Sequence, residues 1–111
     1  MSDAPLDIEV LKSMFGDDDE LTLSILQEFK SSALPYMKEL DAALAARRTD
    51  GVKNLAHKLK SSSRTVGAAP LADICEALEE VAPRQDWLRI TELEEALRAE
   101  LGAVVDFIEA L

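Results

Sequence analysis

In the last quarter of the chain, apolar side chains return at steps of three and four without a fault: Ile90, Leu93, Leu97, Leu101, Val104 and Ile108. That is the period of one face of an α-helix, and a strand, whose side chains alternate every second residue, cannot use it. The same steps run through Leu26, Phe29, Ala33, Met37, Leu40 and Leu44, and again through Leu71, Ile74, Cys75, Leu78 and Val81. A further stripe of Val52, Leu55, Ala56, Leu59, Ser63 and Val66 is apolar or small. No window alternates with period two over a strand's length. Amphipathic helices must bury their stripes against one another, and short connections make neighbours antiparallel. The expected fold is all-α, an up-down-up-down four-helix bundle with a short N-terminal helix capping one end.

Local punctuation sets the expected boundaries. Residues 5–15 read as the short helix, with Pro5 in its first turn, Asp7 and Glu9 complementing the dipole, and Gly16 as the stop. Asp17-Asp18-Asp19-Glu20 lacks the alternating ligands and central glycine of a calcium loop and reads as an acidic helix start. The next helix covers about residues 18–47, and Pro35 predicts a kink or a break near residues 32–34. Thr49-Asp50-Gly51 is the connection, with Thr49 or Asp50 as N-cap of the following helix. A further helix starts near Ala69-Pro70 and ends at Ala82-Pro83-Arg84-Gln85, and Asp86 caps the last one. In Ser61-Ser62-Ser63, Ser62 and Ser63 are expected to face inward as small packing residues.

At 111 residues the chain is expected to be a single domain, residues 1–111, with enough length for one core. Its net charge of −10 disfavours nucleic acid and anionic membrane surfaces as partners. No apolar run approaches the roughly 18 residues that span a bilayer, and Met1-Ser2-Asp3-Ala4-Pro5 lacks the pattern of a signal peptide, so a cytoplasmic location is expected. The single cysteine, Cys75, lies on an apolar stripe and reads as core. One histidine and one cysteine make a transition-metal site implausible, and no cofactor is expected.

Charge is distributed unevenly. Between residues 47 and 64 six basic residues, Arg47, Arg48, Lys53, Lys58, Lys60 and Arg64, face Asp50 alone, a local charge of +5. Within this strip stands the only histidine, His57. Helical geometry puts it opposite the apolar stripe, in a row with Lys53, Lys60 and Arg64 and with Ser61 alongside. An exposed imidazole among cations suits a phosphoryl group, because a neutral ring nitrogen is a nucleophile and the cations disfavour imidazolium while offsetting phosphate charge. Lys53, Lys58 and Arg64 can equally be read as a solvated face.

The run Ala56-His57-Lys58-Leu59-Lys60-Ser61-Ser62-Ser63, followed by Val66-Gly67-Ala68, Leu71, Cys75 and Leu78-Glu79, resembles the signature of histidine-containing phosphotransfer domains. The match is close over residues 50–80 and extends to the flanking helices only in period and length. The resemblance implies that His57 accepts the phosphoryl group and that Lys60 supports it, and it implies one bent helix at Pro35. Ser61 departs from the pattern, which most often has glycine there to leave room for a partner's active site. A serine hydroxyl is able to bond the phosphate or the ring instead.

The resemblance implies a phosphorelay intermediate, a carrier rather than an autonomous enzyme, which takes a phosphoryl group from an aspartyl phosphate on a receiver domain and passes it to another receiver. No glycine-rich phosphate loop is present, so the receiver is expected to supply Mg²⁺ and the acidic pocket. Ile8, Leu11, Phe15 and Leu23 are candidates for an apolar docking patch near His57, against a reading as bundle-end core. A monomer is expected. Two alternatives stand beside this reading. One is a histidine-kinase dimerisation helix pair, which would need two chains to make four helices and usually has an acidic residue where Lys58 stands. The other is an interaction module that keeps the bundle shape without phosphotransfer.

Overall fold

The structure is a computed structural model that describes residues 4–111. Its five α-helices are α1 (Ile8–Phe15), α2 (Asp19–Ala45), α3 (Thr49–Thr65), α4 (Ala69–Val81) and α5 (Trp87–Glu109), with a 3₁₀ turn at Ala82–Arg84. Helices α2 to α5 close a ring in which α3 packs on α2 and α4, and α5 packs on α4 and α2. This is the expected four-helix bundle, and α1 lies against it beside α2.

The stripes read from the sequence form the core. All six residues of the α5 stripe are buried, as are Leu26, Phe29, Ala33, Met37 and Leu40 of α2. Val52, Ala56, Leu59 and Ser63 are buried from α3 and Val66 just after it, and Leu71, Cys75 and Leu78 from α4. Burying a large aliphatic side chain contributes about 1.5–3 kcal/mol, so these rows dominate over the local propensities between them. Pro35 illustrates this. It removes one backbone bond inside α2, yet α2 does not break, because the buried residues before and after it are held on the same core.

Several boundaries differ from expectation. Pro5 precedes α1; Asp7 is the N-cap, its carboxylate accepting from the Glu9 N–H at 3.0 Å. Arg48, not Thr49 or Asp50, is the N-cap residue of α3, with no side-chain cap bond, because the helix already begins at Thr49. Ser62 is exposed and its hydroxyl donates to the Lys58 carbonyl, so only Ser63 of the triplet faces inward. The Asp86 cap matches, its carboxylate accepting from the Arg89 N–H, and within the acidic start of α2 the structure makes Asp18 the N-cap, accepting from the Glu20 and Leu21 N–H groups.

Gly67 ties α1 to the bundle. Its φ is +78°, and a Cβ there would lie 2.2 Å from the Asp7 carbonyl oxygen. The same contact lets the Asp7 N–H donate to the Gly67 carbonyl at 2.9 Å. Only glycine combines that backbone angle with that approach.

Candidate functional site

Helix α3 buries one stripe and therefore turns His57 outward, with 61% of the side chain exposed. Helix α4 packs along α3 and brings Glu79 across the seam. Glu79 Oε1 lies 2.9 Å from His57 Nδ1, and Oε2 lies 2.6 Å from Lys60 Nζ. One carboxylate thus joins the histidine to the lysine one turn further along.

The charge state of Glu79 decides what this does to the ring. Pairing with Lys60 holds its carboxyl below the usual range; partial burial opposes this, and the His57 bond adds to it. An ionised carboxylate only accepts hydrogen bonds. The proton between the two groups therefore sits on Nδ1, which donates to Glu79, and in the neutral ring Nε2 carries the lone pair. The exposed edge of the imidazole is its nucleophilic edge.

The surrounding cations are arranged differently from the sequence reading. Lys60 is bound to Glu79, and Arg64 pairs with Glu76 at 3.5 Å. Arg47 stacks over the Trp87 ring, 4.6 Å from its centroid, and so belongs to the α2–α5 side. Lys53 is exposed and makes no ion pair among the described residues; with Lys60, Glu76, Glu79, Glu80 and Pro83 it lines a groove between α3 and α4. A row of free cations is thus replaced by alternating charge, and the group nearest the ring is an anion. Ser61 is exposed one turn from His57.

Glu79 is the residue that sequence reasoning missed as a partner of His57. Periodicity within α4 groups it with Asp73, Glu76 and Glu80 as an acidic outer face. The signal is present in the Leu78-Glu79 end of the motif, but linking it to His57, 22 residues away, requires knowing that α3 and α4 pack side by side. Cys75, one turn before Glu79, is fully buried; burial, with Glu79 adding and Lys60 opposing, pushes its thiol up to about 12.

Of the candidate docking residues, Phe15 and Leu23 are exposed and Ile8 is half-buried. Leu11 is fully buried and is corrected to core, because the inner face of α1 packs on the bundle. Met14 and Leu21 are exposed beside them in sequence. The α1 segment anchors at Gly67, ten residues beyond His57 and roughly 15 Å along the helix. Among the described residues, no cluster of His, Cys, Asp and Glu could hold a metal ion, and no helix is long and apolar enough to cross a membrane.

Comparison with known proteins bears on the whole arrangement. A family model described as Hpt domain matches residues 24–107. The crystal structure of histidine-containing phosphotransfer protein B (HptB) from Pseudomonas aeruginosa PAO1 is similar, with a TM-score of 0.88 and 29% identity, covering 98% of this chain and 95% of that one. A stretch of 52 residues, 47% of this chain, is 36% identical to the sensor protein TorS of Escherichia coli (strain K12), of which it spans 6%. With a histidine standing outward from a closed bundle and most of its length matched by the family model, the chain belongs to the Hpt domain family, the histidine phosphotransfer intermediates of two-component relays.

Proposed function

We propose that His57 is the phosphoryl carrier of this relay intermediate, and that Nε2 is the atom that bonds phosphorus. The supporting observation is the 2.9 Å contact between His57 Nδ1 and Glu79, which selects the tautomer whose free lone pair faces solvent. In the forward step, Nε2 attacks the phosphorus of an aspartyl phosphate on a receiver domain. The N–P bond forms, the P–O bond to the aspartate breaks, and the aspartate leaves as carboxylate. The ring keeps its Nδ1 proton and gains positive charge, which the Glu79 carboxylate offsets at hydrogen-bonding distance. Transfer to a second receiver runs the same steps in reverse, because an acyl phosphate and a phosphoramidate have comparable transfer potential.

Lys60 is the supporting cation. Its ammonium neutralises Glu79 in the free protein and has three donors with which to reach an arriving phosphoryl oxygen. Lys53 and Arg64, on the same face, add screened attraction for the anion, and Ser61 offers a hydroxyl one turn away. The receiver supplies the metal ion and the acidic pocket, so the chain is a carrier and not a kinase. Carrier and receivers share a compartment, which we take to be the cytoplasm. Phe15 and Leu23, with Ile8 at their edge, are the apolar part of the docking surface in this reading.

The kinase-dimerisation alternative is disfavoured because the four helices of one chain close their own ring. The non-transferring interaction module is separated by experiment. Labelled phosphate is offered on a phosphorylated receiver to the wild-type protein and to His57→Gln. Label on the wild type alone, lost in acid and kept in alkali, supports the carrier; a folded wild type that several receivers leave unlabelled favours the interaction module.

A further inference from the structure

Loading His57 changes what its contact with Glu79 does. Once Nε2 bonds phosphorus, the ring is either a cation that keeps hydrogen on Nδ1 or a neutral ring with a lone pair there. The two forms part from phosphorus differently. When the P–N bond of the cation breaks, the electron pair returns to Nε2 and the ring leaves as neutral imidazole, its Nδ1–H intact. The neutral form would leave as an imidazolide anion that must take up a proton, and it is the poorer leaving group. The hydrogen on Nδ1 therefore sets how readily the carrier gives up its load.

An imidazole without a partner sheds its second proton around neutral pH. Here Glu79 Oε1 lies 2.9 Å from Nδ1. A ring stripped of that hydrogen would turn its lone pair on a carboxylate oxygen at bonding distance, acceptor against acceptor, whereas the cation meets an opposite charge. The Glu79 side chain is 19% exposed, so water screens this choice only in part. Lys60 Nζ, 2.6 Å from Oε2, keeps the carboxylate ionised. The other charged groups do not supply the acceptor. On α3, Lys53, Lys58, Lys60 and Arg64 are cations and oppose a charged ring. On α4, Glu76 is paired with Arg64, Glu80 lines the groove with Lys53, and the Cys75 thiol, pushed up to about 12 chiefly by burial, stays uncharged at neutral pH. Glu28 and Glu39 of α2 line grooves between α2 and α3.

We infer that Glu79 sets the lifetime of the loaded carrier: it holds the hydrogen on Nδ1 of the phosphorylated ring, so that neutral imidazole remains the leaving group at pH values where an untethered phosphohistidine has lost most of its lability. The inference rests on His57 carrying phosphorus on Nε2. Glu79 is a positioning residue in it, acting on phosphorus through the ring. Water uses the same opening as a receiver. Its oxygen attacks phosphorus, the P–N bond breaks, and dihydrogen phosphate leaves beside a neutral ring. The carrier is thus a transient store, quick to pass its load on and quick to lose it. Strong alkali unfolds the chain and removes the tether, so the label outlasts that treatment.

The test loads the full chain with potassium phosphoramidate, a small phosphoryl donor that needs no receiver. Decay of the phosphohistidine signal is then followed by phosphorus NMR from about pH 6.5 to about pH 9, across and above the titration of an unpartnered imidazole. The wild-type decay rate is expected to change by less than about threefold over that span, because the tether keeps the ring protonated. In Glu79→Gln, shown folded by circular dichroism, it is expected to fall by roughly tenfold per pH unit at the upper end, as the protonated fraction does. Glu76→Gln removes a carboxylate of the same helix that does not bond the ring, and is expected to keep the wild-type profile. Wild type and Glu79→Gln profiles of one shape, superimposed or offset by a constant factor, overturn the inference while phosphorus on Nε2 leaves the carrier reading standing. Phosphorus on Nδ1, or a folded wild type that takes none on His57, overturns both.

Discussion

Glu79 and His57 are 22 residues apart in the chain and 2.9 Å apart in space, and their contact holds the imidazole by its Nδ1. Glu79→Gln replaces an obligatory acceptor with an amide that either donates or accepts, so the tautomer is no longer fixed. With charged hydrogen bonds contributing about 1.5–3 kcal/mol, the rate of phosphoryl transfer should fall roughly tenfold or more. Nitrogen NMR of the ring should show Nδ1–H in the wild type and a tautomer mixture in the variant.

The same carboxylate gives a pH dependence. Its folded pKa lies below the ordinary value of 4.5, chiefly through Lys60. The stability it contributes is therefore complete above that ordinary value and is lost as pH falls through the lower folded one. Urea denaturation between pH 7 and pH 3 should show a steeper acid loss in wild type than in Glu79→Gln. Equal slopes would remove the ion pair from the account.

Lys60→Ala frees Glu79 and takes away the cation proposed to support the phosphoryl group. Steady-state phosphorylation by a receiver should fall several-fold, while helix content stays unchanged because alanine is the best helix former. Lys60→Arg keeps the charge and should recover part of the transfer; no difference between the two variants would reduce Lys60 to a structural partner of Glu79.

Gly67→Ala tests how α1 is held. The added Cβ meets the Asp7 carbonyl oxygen at 2.2 Å at a φ of +78°, so the segment before α1 must detach. The backbone penalty alone is roughly 1–2 kcal/mol. Hydrogen exchange should accelerate over residues 6–15, while α5 remains protected.

Ser61→Gly should lower stability by about 0.5 kcal/mol through helix propensity alone. If close approach of a receiver is limited by this side chain, transfer should quicken despite that loss. Stopped transfer would instead give the Ser61 hydroxyl a part in holding the phosphate.

The bundle was legible because long stripes such as Ile90 to Ile108 determine which faces meet, and burial of those faces outweighs local signals. Pro35 is the clearest instance, since a local breaker yields to the core on both sides of it. Helix starts were less legible where local chemistry offers equivalent choices: Asp7 displaced Pro5 as the start signal of α1, and α3 begins without a side-chain cap although Thr49 and Asp50 stood ready. At the site, the outward position of His57, one turn from Lys60, could be read from spacing within one helix. Glu79 as the partner of His57 could not, because the relationship lies between helices. The cationic row failed for the same reason, as Lys60 and Arg64 find their anions on α4.

The most direct measurement is phosphorus–nitrogen correlation NMR on the ¹⁵N-labelled protein after phosphorylation by a receiver. The expected result is one coupling, from phosphorus to His57 Nε2, with Nδ1 still protonated beside Glu79. Phosphorus on Nδ1, or on any residue other than His57, would contradict it.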